Sequence, residues 1–428
     1  MGAPRMFMAA LFLAGALSNP SMANPGDAEQ KTSWWTGAPE HGCGDGVETA
    51  TDVALREAGF AFERGDIAAG RDRVAAVVAT AGDDLWTLLS AGALLFRAGD
   101  DGGARRAFER VQTLVAEAPE DRQTVAAMYA AAADIRLGDA SGGKAALAKA
   151  RQAEGALKTL GCHVIPVAFA LYDSGDLDGA LSLLAALTRA WPQARSPWDA
   201  RVGLALTGKP DAAAEAVLRE ALEAFPKDVE FTVRLANLLK VTDRAEAAQG
   251  MLEQRILAGV ESPSLVGELL GLVSGGVAAT EHIQRYSELA DANPNLPALQ
   301  MLVGVLNHYQ GRFADSNTHL ERSGPMIQKE PRVPMYMAMN HFRLGNLSEA
   351  RRLIAEASKT DRPDPDIYYC RAEITRDTER DLARSDLKRY LALTEGTPHA
   401  NAKKQARVRE MLAHLEACIA DETPKCGG

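Results

Sequence analysis

A short turn returns along this chain at a nearly constant interval, and few architectures can accommodate it. The segments ERGDIAAG, RAGDDGGA, RLGDASGG, DSGDLDGA, LTGKPDAA, VTDRAEAA, SGGVAATE, YQGRFADS, RLGNLSEA and RDTERDLA follow one another from residue 63 onward. Anchored at Gly65, Gly99, Gly138, Gly175, Gly208, Asp243, Gly276, Gly311, Gly345 and Glu379, they are spaced by 34, 39, 37, 33, 35, 33, 35, 34 and 34 residues. Such a period belongs to arrays in which each unit packs on its neighbours. The turn has a local mechanism. Glycine takes the left-handed conformation that ends a helix. The Asp or Asn after it, as in Gly65-Asp66, Gly99-Asp100, Gly138-Asp139, Gly175-Asp176 and Gly345-Asn346, caps the next helix. Each unit therefore reads as helix, tight turn, helix.

Packing residues repeat in step with the turn. Seven residues before the anchor stand Ala58, Gly92, Ala131, Ala168, Ala236, Gly304, Ala338 and Ala372, interrupted by Arg201 and Leu269. Five residues after it stand Gly70, Ala104, Gly143, Ala180, Ala213, Ala248, Ser316 and Ala350, interrupted by Glu281 and Arg384. Small residues at both places let the two helices of one unit approach closely. Nine residues after the anchor comes a larger plug: Val74, Phe108, Leu147, Leu184, Val217, Leu252, Leu320 and Ile354. In units seven and ten this place holds Arg285 and Lys388, with Tyr286 and Leu387 one position away.

This pattern resembles the tetratricopeptide repeat (TPR) family over about residues 50–396. The family's first-helix Trp is echoed at best by Trp198, and unit seven, Leu265–Pro294, departs most. The resemblance implies an all-α, right-handed superhelical solenoid of about ten helix-turn-helix repeats. Residues 47–396 would form the array. Residues 397–428 would hold a capping helix, Ala400 to Ala420, and a tail. That helix carries Lys403, Lys404, Arg407, Arg409 and Glu410 on its expected exposed side.

Composition agrees with helices. The chain is 46% hydrophobic but 6% aromatic, and alanine, a strong helix former, supplies much of the difference. A net charge of −10 argues against broad nucleic-acid binding. Between Arg380 and Glu410, eight Lys/Arg stand against four Asp/Glu, a pattern that fits either a solvated face or a receptor for an acidic segment or an anionic polymer.

The first 23 residues read as a signal peptide: Arg5, an uncharged apolar run from Met6 to Leu17, then Ser21-Met22-Ala23. Residues 24–46, rich in Gly and Pro, read as a flexible leader. Cleavage would export the protein to the periplasm or beyond, with no transmembrane segment in the mature chain. Export exposes the cysteines to an oxidising compartment. Cys43, Cys162, Cys370, Cys418 and Cys426 are odd in number, so at least one lacks an intramolecular partner. Cys418 with Cys426 is the best local disulfide candidate, and unpaired cysteines are the alternative.

With the array and cap filling residues 47–420, no room remains for a catalytic domain. GxxxxGK[ST], GxSxG and HExxH are all absent. The eight histidines do not cluster with metal-ligand spacing, so neither a metal nor another cofactor is expected. In the TPR family the first helices line a concave face that holds peptides. Mapped onto this chain, the resemblance places Met301, Tyr309, Met335, Met339, Phe342, Arg343, Tyr369 and Arg376 in such a groove. The same stripe at helical spacing also fits inter-repeat core. The sequence thus leads to a non-enzymatic, protein-binding scaffold in the cell envelope. An accessory factor of a secretion or pilus machine and a cell-wall hydrolase are the alternatives.

Overall fold

Helix-terminating turns organise the protein, and they form where the local chemistry requires. The structure, a computed structural model, describes residues 50–420 apart from 64, 83, 119–122, 151–155, 208–211, 275–278, 360–363 and 396–400. The signal peptide, the leader and Cys426 lie outside the described residues, as do the anchors Gly208 and Gly276 and the side chain of Leu147. The described residues are helical or connecting, with no strand among them.

The helices are α1 Ala50–Glu63, α2 Ile67–Thr80, α3 Leu85–Arg97, α4 Asp101–Ala116, α5 Gln123–Leu137, α6 Ala140–Ala150, α7 Ala156–Leu160, α8 Ile165–Asp173, α9 Leu177–Ala190, α10 Arg195–Ala205 and α11 Ala212–Ala224. After them come α12 Val229–Val241, α13 Ala245–Leu257, α14 Pro263–Val273, α15 Ala279–Ala292, α16 Pro297–Tyr309, α17 Phe313–Arg322, α18 Pro325–Lys329, α19 Arg332–Arg343, α20 Leu347–Ala357, α21 Pro365–Thr375, α22 Arg380–Thr394 and α23 Ala402–Ala420. The chain divides into two compact units, Met1–Pro226 and Lys227–Gly428. In each, successive helices pack as TPR-like pairs.

Every described anchor but one is left-handed. Gly65, Gly99, Gly138, Gly175, Gly311 and Gly345 have φ between 72° and 104°, and Asp243 has φ 57°. Around them the backbone closes a Schellman motif. In the first turn the Gly65 amide donates to Phe62 O at 3.0 Å and the Asp66 amide to Ala61 O at 2.9 Å. The exception is Glu379, with φ −128°, which occupies the N-cap of α22 instead. The expected acidic caps form at Asp66, Asp100, Asp139 and Asp176, each accepting from the amide three residues on at 2.8–3.2 Å. Asn346 makes no such bond.

The small-residue positions mark real close approaches. A β-carbon added at Gly70 would stand 2.4 Å from the Phe62 ring, and one at Gly304 would stand 2.6 Å from Leu320. Ser316 replaces the usual alanine and donates its hydroxyl to Gly304 O at 2.7 Å. Unit five corrects the expected register by one residue. Ala213 is exposed while Ala214 is buried, and Leu218 is more deeply buried than Val217. In sequence the close contact thus falls six residues after Gly208 rather than five. Unit seven departs as its sequence suggests. There α14 packs on α12, α13 and α16, and α15 packs on α16. Tyr286 fills the place that Arg285 cannot, and Leu387 does the same for Lys388 in unit ten.

The cap helix α23 begins at Ala402, two residues later than expected, and buries Gln405, Val408, Leu415 and Cys418 against the array. Cys162 and Cys418 are both disulfide-bonded. Cys370 is a free, buried thiol whose pKa burial pushes up to about 12.

Candidate functional site

The first helices of the last three units, α16, α19 and α21, lie side by side, followed by the cap helix α23. The eight expected groove residues fall on α16, α19 and α21 or at their ends, but they divide into two groups. Met301, Met335, Met339 and Tyr369 are between 4% and 8% exposed. They are core, and their assignment to an open groove is corrected. The cause is periodicity: a first helix must bury residues against its own second helix and against both neighbouring units, so most of its apolar stripe is consumed by packing. Tyr309 is 53% exposed and Arg343 is exposed, while Phe342 and Arg376 are half-buried. These four sit within two residues of a helix C-terminus or just past it, where packing on the second helix ends.

Beneath the exposed residues runs a polar chain that the sequence reading missed. His308 Nδ1 lies 2.6 Å from Asn340 Oδ1. Asn340 Nδ2 donates to Ser316 Oγ and to Asn317 Oδ1, both at 2.8 Å. Because the Ser316 hydroxyl donates to Gly304 O, the order of donors is set, and His308 carries its proton on Nδ1. Burial lowers the His308 pKa, Arg343 lowers it further, and the bond to Asn340 opposes both. Asn340 is fully buried. A buried amide of this kind is stable only with its donors and acceptor met.

Above that chain stand aromatic rings. Tyr336 lies 4.9 Å from His308 between ring centroids and meets Tyr309 edge-on at 6.0 Å, with the two hydroxyls 3.0 Å apart. Burial, and next the Tyr309 hydroxyl, raise the Tyr336 pKa. Further along, Arg343 lies over the Phe342 ring at 5.8 Å and pairs with Glu373 at 3.2 Å. Arg407 of the cap helix reaches the same carboxylate at 3.7 Å. Lys404 lies 4.7 Å over Tyr369 and bonds Asp366 at 2.6 Å. Burial works against its charge, the Asp366 carboxylate outweighs burial, and Lys404 is held above the ordinary lysine value.

The basic run at the chain's end proves largely self-neutralised. Arg384 pairs with Asp381, Lys388 with Glu416, Lys404 with Asp366, Arg407 with Glu373 and Arg409 with Glu395. Lys240 is likewise closed, since its ammonium donates to both Asn237 and Glu268. Among the described residues no three His, Cys, Asp or Glu side chains gather to hold a metal. No described helix is long and apolar enough to cross a membrane.

These features define a TPR-like array of helix pairs, an assignment that rests on the chain's own repeat geometry. No family profile matches the sequence, and no curated protein sequence matches it. Solved structures resemble it distantly. A tetratricopeptide repeat protein from Parabacteroides merdae is 17% identical over 59% of this chain and 97% of its own, at TM-score 0.35. A human IFIT1 dimer solved with PPP-AAAA is 12% identical over 82% of this chain and 86% of its own, at TM-score 0.37. The APC/C hetero-tetramer Cut9–Hcn1 is 12% identical over 87% of this chain and 84% of that one, at TM-score 0.36.

Proposed function

We propose that the protein is a non-enzymatic scaffold exported to the cell envelope, where the first-helix face of its last three units holds a segment of a partner protein. One observation carries the reading. Tyr309 is half-exposed on a support of packed rings, with Phe342, Arg343 and Arg407 following on the next helices. An aromatic anchor bordered by cations suits a segment with an apolar side chain and an acidic flank. Tyr buries much area at little cost in flexibility and Arg presents a planar fork of donors, which is why interfaces concentrate them. Export is supported by the apolar run before Ala23 and by the disulfide-bonded Cys162 and Cys418, since such bonds persist in oxidising compartments.

The test is capture of the partner from the cell's own envelope by wild type and by Tyr309→Ala with Phe342→Ala. Loss of these anchors should cost more than about 2 kcal/mol of affinity. Circular dichroism should match wild type, because Tyr309 is exposed and Phe342 half-buried. A variant that folds normally and still retains the partner sinks the assignment. Met339→Glu is no test of binding, because it places a charge in the core.

A further inference from the structure

Glu373 sits where a ligand's carboxylate would be expected. Its side chain is 6% exposed, and its ion-pair partners come from two other helices. Arg343 Nη2 of α19 lies at 3.2 Å and Arg407 Nη2 of α23 at 3.7 Å, both on the same oxygen, Oε1. The Arg407 contact is an ion pair too long for a hydrogen bond. Both arginines remain open, their side chains 46% and 61% exposed. A guanidinium has five N–H donors, so each keeps most of them for another acceptor. One turn on along α21 is Arg376, whose buried Nε has no hydrogen-bond partner. Two arginines against one carboxylate leave one positive charge in excess, while Lys404 and Asp366 cancel beside them.

We propose that Glu373 is an internal attenuator of this face: it holds Arg343 and Arg407 in the free protein and competes with the carboxylate of an acidic partner segment for them. The proposal rests on reading the face as a protein-binding surface. Charge complementarity selects the occupant, an acidic segment with an aromatic or aliphatic anchor. Arg407, the more exposed and more loosely held arginine, turns outward on binding, and Arg343 is shared between Glu373 and the incoming carboxylate. Glu373 then repels that carboxylate across a few ångströms. Its negative charge sets how acidic a segment must be to bind.

Glu373→Gln removes the charge and keeps the shape. The probes are two fluorescein-labelled peptides, one with a phenylalanine flanked by three glutamates on each side and its twin with glutamines. Against the full mature chain, Glu373→Gln should bind the glutamate peptide roughly tenfold more tightly than wild type, the order expected for removing one nearby, partly shielded charge. The glutamine peptide should be indifferent to the substitution. Arg343→Gln with Arg407→Gln should abolish the preference for glutamate. If Glu373→Gln binds the glutamate peptide no better or worse than wild type, Glu373 merely positions the arginines, and the proposal falls. If wild type binds both peptides alike and loses both with Tyr309→Ala and Phe342→Ala, the protein-binding face survives and the attenuator does not. If neither peptide binds any of these proteins, both readings fall. Should Glu373→Gln not fold, Arg407→Gln decides. It must weaken the glutamate peptide and spare its twin, and equal effects on the two would overturn the proposal.

Discussion

Gly92 on α3 lies so close to Phe108 on α4 that a β-carbon added to the glycine would fall 2.5 Å from the aromatic ring. Phe108 is 1% exposed and cannot swing away. Gly92→Ala therefore sets two effects against each other. Alanine gains up to about 1 kcal/mol of helix propensity, while overpacking costs about 1–3 kcal/mol. The clash should win, lowering the urea midpoint. Gly250→Ala on α13 is the control, since nothing lies within 4 Å of its added β-carbon. It should raise the midpoint. Equal responses at the two sites would contradict the close helix contact.

Ala350, five residues after the anchor Gly345 of unit nine, is fully buried. Ala350→Leu should overpack α19 against α20 by about 1–3 kcal/mol. Repeat arrays couple near neighbours, so hydrogen exchange should quicken in α16–α22 and stay slow in α1–α6. Quickened exchange throughout would refute one-dimensional coupling.

These contacts were legible in the sequence because their chemistry is local. A left-handed glycine followed by a capping aspartate states its conformation without reference to the rest of the chain. The paired small residues show as a spacing. What failed was register and exposure. Ala213 and Ala214 are chemically identical, so only packing reveals which meets the partner helix. The same holds for the expected groove. Met335 and Tyr309 sit on equally apolar stripes, yet the first is enclosed by neighbouring helices and the second projects beyond a helix end. Glu373 and Tyr336 were invisible because their partners, Arg343, Arg407 and Tyr309, lie 27 to 34 residues away in sequence. The available signal was charge of opposite sign on successive first helices.

His308 and His319 make stability depend on pH. Burial lowers both pKa values from the ordinary 6.5, so the folded protein resists protons that the unfolded chain accepts. Their contribution is therefore present above that value and lost as pH falls below it. Urea midpoints should drop between about pH 7.5 and 5.5, a window in which ordinary carboxylates stay ionised. His308→Gln with His319→Gln should flatten the slope even if it lowers stability at both ends. An unchanged slope in that variant would rule these histidines out as the cause.

Cys370 offers a probe of local opening. The thiol is 7% exposed, and burial pushes its pKa to about 12, so little thiolate exists near neutrality. Iodoacetamide should label it slowly in the native protein and quickly in urea. Rapid native labelling would show that α21 and α23 part readily at this site.

The central claim, that the first-helix face of the last units receives another protein, is tested most directly by covalent capture in the living cell. A benzophenone amino acid replaces Tyr309 in one strain and the exposed Lys359, two residues past second helix α20, in another. Illumination should join the protein to a discrete partner from position 309 and not from position 359. No adduct at 309, or the same adducts from both positions, would contradict the account.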